Sequence, residues 1–209
     1  GNVMSSTLIP GMEELKVYDH INIIDVGAAR GSFMQELGKI VDKDKIYSIG
    51  IDPKLDGGNE YDQFIVGCVD NVSAPTKVKL LITGDEQAST ICKPTEEPEK
   101  FEEQEEEIDV FNLEQIIQEE LPDEADIHFL KIDADGKYFT ILEFLSDDTF
   151  SRIVFVATEC VSETPRFEEE KLKEEVIEYM NSKKFDVFHD HVTDNGSRIS
   201  DVIFKNREK

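Results

Sequence analysis

The order of apolar runs is the feature of this sequence that most constrains its fold. Short strand-like runs alternate with amphipathic helical stripes along most of the chain. Ile153–Thr158 is a continuous apolar run, as is typical of a strand covered on both faces. Three further runs read as strands: Ile21–Val26, Ile46–Ile51 and Ile127–Ile132. This alternation predicts a three-layer α/β sandwich around a mainly parallel sheet.

Three further runs and one possible strand follow the same pattern. Gln63–Val69 reads as a third strand, and Lys77–Ile82 alternates polar and apolar residues as a possible fourth. Near the end of the chain, Phe185–His191 and Ser200–Phe204 flank the turn sequence Asp194-Asn195-Gly196, which favours an antiparallel hairpin. We therefore predict a mostly parallel seven-stranded sheet that ends in an antiparallel hairpin. Helices are predicted over 32–42 and 166–183, with helical stripes starting at Leu113 and Tyr138.

The length of 209 residues fits one domain. We interpret residues 1–19 as an N-terminal extension and residues 20–209 as a single domain with an acidic insertion near 93–109. The stretch Glu96–Asp109 holds nine acidic residues against one lysine. A block of this kind is more often a solvated surface insertion than an acidic lid or a partner-binding segment.

The charge balance restricts the partners. Acidic residues outnumber basic ones by 47 to 22, a net charge of −25, which argues against gripping nucleic acid or docking on anionic lipid. No apolar run approaches the roughly 18 residues of a membrane span. The three cysteines are far apart and odd in number, so they predict neither a disulfide framework nor a metal site, and a reducing, cytoplasmic compartment suits them.

The turn after the first strand is a candidate ligand site. Gly27 and Gly31, with small Ala28 and Ala29 between them, let the backbone turn sharply and lie against a ligand at the start of the next helix. Asp52, at the end of the second strand, is placed to accept hydrogen bonds from ribose hydroxyls. The pair suggests an adenosine ligand, the plainer alternative being a structural turn and a helix-capping aspartate. The middle glycine of GxGxxG is missing, which disfavours a nicotinamide-dependent oxidoreductase.

A second group of charged residues follows the strand Ile127–Ile132. Asp133 and Asp135 are separated by one small residue, and ionised carboxylates at such a place need water or a cationic partner. Lys131 is the structural candidate for that partner, and a bound cationic ligand is the functional one. Glu159 follows the next strand, so a magnesium ion between Asp133 and Glu159 is conceivable, although no ligand spacing requires a metal.

The histidines are weaker candidates. His189 and His191 lie on one face of a predicted strand and could serve a substrate, but exposed polar residues of an edge hairpin are the simpler interpretation. His128, inside an apolar strand, is interpreted as a hydrogen-bonded core residue.

Three stretches together resemble the FkbM-type methyltransferases, which are class I enzymes that use S-adenosylmethionine. The stretches are Asp25–Phe33, Ser48–Pro53 and Leu130–Gly136, and the resemblance covers roughly residues 20–205. The family pattern runs D-V-G-A-x-x-G, then an acid–proline pair, then K-I-D-V-E-G. This chain has Asp135 where the family has glutamate, a shorter side chain.

The resemblance implies roles for particular residues. Asp25, Gly27, Ala28 and Gly31 would line the methionine end of the donor, and Asp52 would hold its ribose. Val69 and Asp70 would lie near the adenine. Asp133 and Asp135 would face the transferred methyl group and the acceptor, with Asp133 as the base.

The expected reaction is methylation of an oxygen on a small molecule or sugar. A catalytically silent relative that works as an acidic binding module is the alternative, motivated by Asp135 and the acidic segment.

Overall fold

The computed structural model describes residues 5–83, 89–90, 101–134, 136–193 and 198–209. Within these ranges, seven strands form one sheet in the order β10-β11-β9-β8-β1-β2-β3. Their bounds are β1 Ile21–Val26, β2 Ile46–Asp52, β3 Gln63–Val66, β8 Ile127–Ile132, β9 Ile153–Val161, β10 Phe185–Val192 and β11 Ile199–Asn206.

The pairing of these strands confirms the predicted fold class. Strand β1 pairs in parallel with β2 and β8, β2 with β3, and β8 with β9. Strand β11 pairs antiparallel with both β9 and β10, so the sheet ends in the expected antiparallel hairpin. The predicted turn Asp194-Asn195-Gly196 lies outside the described residues, as does residue Asp135.

Helices cover both faces of this sheet. Their bounds are α1 Ile9–Glu14, α2 Ser32–Gly38, α3 Leu113–Glu120, α4 Tyr138–Glu143, α5 Asp147–Arg152 and α6 Lys173–Ser182. Helices α3, α4 and α6 pack on one hydrophobic cluster, and α1 and α2 pack on a second cluster across the sheet. Every residue of β1, β8 and β9 is buried, which is why their sequences are almost continuously apolar. None of the helices in the described ranges is both long and apolar enough to cross a membrane.

Several helix boundaries differ from those predicted. Helix α2 ends at Gly38 rather than at residue 42, and α6 begins at Lys173 rather than at 166. Helix α5 was not predicted, although Ser146 caps its N-terminus by accepting a hydrogen bond from the Thr149 amide. The N-terminal segment also packs closely on the protein, since Leu8, Met12 and Leu15 are fully buried in the second cluster.

A second sheet was not predicted, although the predicted run Lys77–Ile82 is one of its strands rather than a strand of the main sheet. It has the order β4-β7-β5-β6, with β4 Cys68–Val69, β5 Thr76–Thr83, β6 Ser89–Thr90 and β7 Phe101–Phe111. The predicted third strand is therefore divided at Gly67, and its last two residues belong to this sheet. The described part of the acidic segment is also strand, because β7 pairs antiparallel with β5. Cross-strand ion pairs between Lys77 and Asp109 and between Lys79 and Glu103 accompany the pairing.

Candidate functional site

The turn after β1 is held against two neighbouring strands. The amides of Gly27 and Ala28 both donate hydrogen bonds to the carbonyl of Ile51 in β2, at 2.8 and 3.1 Å. On the other side, a Cβ atom on Gly27 would lie 2.0 Å from the carbonyl oxygen of Asp133. Gly27 has a φ of +80°, so both the space and the backbone conformation require glycine here. The turn is therefore fixed between the carboxyl ends of β2 and β8.

Asp52 connects the end of β2 to this turn. One oxygen of its carboxylate accepts a hydrogen bond from the Ala29 amide and the other accepts one from the Lys54 amide, both at 2.9 Å. The side chain is 8% exposed, and burial raises its pKa although both backbone hydrogen bonds oppose the shift. A carboxylate oxygen can accept a second hydrogen bond, so Asp52 retains the capacity to bind ligand hydroxyls.

Asp25 lies beneath the turn and is fully buried. Its carboxylate accepts a hydrogen bond at 2.8 Å from Nζ of Lys131 and a short one from the Tyr61 hydroxyl. The same Nζ donates to the carbonyl of Gly27 at 3.3 Å. Burial alone would lower the pKa of Lys131, but the charges of Asp25 and Asp133 and the hydrogen bond to Asp25 outweigh it, so the pKa is raised.

Lys131 was one candidate cationic partner for Asp133 and Asp135, and the structure gives it an ion pair with Asp25. Lys131 and Asp25 are neighbours in the register between β1 and β8, so strand adjacency decides this pairing. Asp25, which the resemblance places at the methionine end of the donor, is fully buried and supports the turn from below.

Tyr61 is a site residue that the sequence reasoning missed. It belongs to the segment between β2 and β3, and its ring lies flat against β2 at Gly50, where a Cβ atom would be 2.7 Å from the ring. Gly57 in the same segment touches the turn, since a Cβ there would lie 2.5 Å from the carbonyl oxygen of Ala29. A glycine inside an apolar strand, such as Gly50, is the one sequence signal of this close approach.

The other predicted residues lie along the same rim. The amide of Asp133 donates to the carbonyl of Val26 at 2.8 Å, which holds Asp133 beside the turn. Val69 is buried, and Asp70 follows it with its carboxylate 3.3 Å from Nζ of Lys137. The structure thus brings Asp133 next to the glycine turn, while Lys137, also missed by sequence reasoning, links Asp70 to the segment after β8.

Glu159 is engaged by an arginine. Its carboxylate lies 2.6 Å from Nη1 of Arg166, whose other terminal nitrogen is 2.9 Å from Glu170. Among the residues described by the structure, no group of three histidine, cysteine or acidic side chains is close enough to hold a metal ion. The site therefore offers carboxylates and a backbone turn for a ligand.

The predicted histidines occupy different environments. His128 is buried, and its Nδ1 accepts a hydrogen bond from the Asn22 amide, as expected for a core residue. Its pKa is lowered, chiefly by burial. His189 and His191 lie on β10 at the edge of the sheet, two strands beyond β9.

A glycine turn after β1 and an acidic residue ending β2, at the carboxyl edge of this mixed seven-stranded sheet, define the class I methyltransferase architecture. The methyltransferase FkbM domain matches residues 25–187, most of the chain. The chain therefore belongs to the FkbM methyltransferase family and is an S-adenosylmethionine-dependent methyltransferase.

Solved structures support the fold. The chain is similar to M. capricolum TrmK in complex with S-adenosylhomocysteine, with 8% identity, a TM-score of 0.50, and coverage of 98% of this chain and 70% of that chain. It is also similar to magnesium protoporphyrin IX methyltransferase of Synechocystis PCC 6803 with bound S-adenosylhomocysteine, at 8% identity and a TM-score of 0.50, covering 98% and 80%.

A third similar structure is a Plasmodium falciparum protein described as a ribosomal RNA methyltransferase, at 15% identity and a TM-score of 0.52, covering 99% and 97%. None of the curated proteins compared with the chain matches it. The family assignment favours the enzyme over the silent binding module and over a nicotinamide-dependent oxidoreductase.

Proposed function

We propose that this enzyme methylates an oxygen atom of a small molecule or sugar. The observation that carries the proposal is the contact between Asp133 and the glycine turn. Gly27 abuts the Asp133 backbone, and the Asp133 amide is hydrogen bonded to Val26. The backbone of Asp133 therefore lies where the donor turn begins, which supports a role for its carboxylate as the proton acceptor.

The residues of the rim suit the donor, whose sulfonium supplies an electrophilic methyl group. Asp52 would accept hydrogen bonds from the ribose hydroxyls, and the backbone of Gly27, Ala28 and Gly31 would contact the methionine part. Val69 and Asp70 would line the adenine side. The carboxylates of the rim favour a cationic ligand by Coulomb attraction.

The acceptor side rests on Asp133. A hydroxyl acceptor must lose its proton as its oxygen takes the methyl group, and the Asp133 carboxylate would receive that proton. Alignment of donor and acceptor would provide most of the remaining rate enhancement. Asp135, which lies outside the described residues, would face the acceptor in the same proposal.

The charge of the chain supports a small acceptor. A net charge of −25 opposes binding to a phosphate backbone, so the RNA substrates named for some structural relatives are not proposed here. We also propose that residues 20–209 form one catalytic domain and that the enzyme works in the cytoplasm. Cys68 and Cys160 are free thiols, which fits a reducing compartment.

Calorimetric titration tests the donor site. S-adenosylmethionine and S-adenosylhomocysteine should bind and NADH should not. Asp52→Ala should weaken donor binding by about 1.5–3 kcal/mol, because charge-assisted hydrogen bonds to the ribose are lost. The matched control is Asp56→Ala, an exposed acidic residue of the same segment. Equal affinity in the two variants would show that Asp52 does not hold the ribose.

A kinetic experiment tests the acceptor side. A panel of sugars and hydroxylated small molecules is screened with radiolabelled donor. With any acceptor found, Asp133→Asn should lower turnover by about 10²- to 10⁴-fold, the usual contribution of a general base, and should spare donor affinity. Unchanged turnover would remove Asp133 as the base.

A further inference from the structure

A row of polar side chains crosses the antiparallel end of the sheet. Asp201 in β11 is paired in register with Glu159 in β9 and with His191 in β10. Cross-strand partners project to the same face, so Asp201 stands between Glu159 and His191. The face is the one covered by the N-terminal segment, because the Thr7 hydroxyl donates to Asp201.

Asp201 has an unused hydrogen-bonding atom. Its Oδ2 accepts the Thr7 hydrogen bond at 2.8 Å, but its Oδ1 is buried and has no hydrogen-bond partner among the described residues. The residue is only 4% exposed. Burial and the neighbouring charge of Glu159 both raise the pKa of Asp201. A buried acceptor without a partner costs stability, so it needs an explanation such as a functional role or a bound water or ion.

The row lies where strand β9 extends beyond the end of its neighbour β8, next to the proposed acceptor site. Strand β8 ends at Ile132, opposite Thr158, while β9 continues to Val161. Asp133, the next residue after β8, is therefore level with Glu159. Asp201 lies two strand spacings from Asp133, about 10 Å away. Glu159 is already paired with Arg166, whereas Asp201 has an oxygen atom without a hydrogen-bond partner among the described residues.

We propose that Asp201 binds a protonated amino group of the methyl acceptor, about 10 Å from the oxygen that is methylated. This rests on the proposed function, since it names the class of acceptor for the same site. A protonated amino group donates a hydrogen bond to Oδ1 of Asp201 and also offsets the charge of the two adjacent carboxylates. A neutral hydroxyl group donates the hydrogen bond but offsets no charge. An amino-substituted sugar at least two rings long has the required reach.

Two matched disaccharides test the subsite. The β-1,4-linked dimer of glucosamine carries ammonium groups, and cellobiose carries hydroxyls on the same skeleton. Each is titrated into protein saturated with S-adenosylhomocysteine, so donor binding is established separately from acceptor binding. The glucosamine dimer should bind about 10- to 100-fold more tightly than cellobiose, the range for a hydrogen bond to a charged group.

Two variants then show whether Asp201 causes the preference for the glucosamine dimer over cellobiose. Asp201→Asn should bind both disaccharides alike, while Ser200→Ala should keep the wild-type preference. Ser200 is a buried polar residue next to Asp201, and its side chain lies on the opposite face, where it contacts Lys173. The urea midpoint of Asp201→Asn should equal or exceed that of wild type, because the asparagine oxygen can still accept the Thr7 hydrogen bond and a buried negative charge is removed.

The outcomes separate the subsite from the reaction. Equal binding of the two disaccharides, no binding of either, a preference that survives in Asp201→Asn, or a lowered urea midpoint in that variant would each overturn the subsite. Amine-dependent binding without methyl transfer to any hydroxyl would instead contradict the proposed oxygen acceptor and support the subsite.

Discussion

Replacement of Lys131 by methionine should destabilise the protein through Asp25. The variant removes the only charge that contacts this fully buried carboxylate among the described residues, together with the hydrogen bonds at 2.8 Å to Asp25 and 3.3 Å to the Gly27 carbonyl. Breaking a buried ion pair by removing one partner usually costs about 3–5 kcal/mol.

Urea unfolding at pH 7 measures this loss. The double variant Asp25→Asn/Lys131→Met is the matched control, since it removes both charges of the pair and should recover most of the loss. Lys39→Met removes an exposed lysine paired with Glu36 and should change stability by less than about 0.5 kcal/mol. A loss below about 1 kcal/mol at pH 7 would refute the reasoning.

Three further results are expected. Gly57→Ala should lower the free energy of unfolding by about 1–3 kcal/mol, because the new Cβ would meet backbone atoms at 2.5–2.8 Å, whereas Gly58→Ala meets only a flexible side chain at 3.2 Å and should be much milder in urea unfolding. The pKa of His128 is lowered in the folded protein, so below pH 6.5 the unfolded chain should bind a proton that the folded protein does not. The free energy of unfolding should therefore fall by at most about 1.4 kcal/mol per pH unit as the pH is lowered. His128→Gln should remove this slope, whereas His189→Gln should keep it. Burial raises the pKa of Cys68 to about 12, so peptide mapping should show native Cys68 reacting with iodoacetamide at pH 8 at least about 100-fold more slowly than in urea, and equal rates would contradict this burial.

The main sheet was predictable because its signals are local. Strands such as β1, β8 and β9 are covered on both faces, and that burial demands the continuous apolar runs that are visible in the sequence. The glycine turn and Asp52 were also visible, because a sharp turn needs glycine and the end of a strand is a definite place in the chain.

The second sheet was not predicted because its longest strand, β7, contradicts its composition. The run Phe101–Phe111 is rich in glutamate, and such blocks are usually solvated. It forms a strand because β5 lies beside it and supplies hydrogen bonds along its length, with lysines facing some of the acids. β-Propensity depends on the neighbouring strand more than on the residue itself.

The sequence by itself determined the strands of the main sheet, the glycine turn and the carboxylate at the end of β2, since each depends on residues close together in the chain. Only the tertiary structure decided that Lys131 pairs with Asp25 and that Tyr61 completes this cluster. It also decided that Asp201 keeps an oxygen without a partner among the described residues. The physical reason is that these contacts join residues on different strands and loops, where the register of the sheet, rather than spacing along the chain, brings charges together.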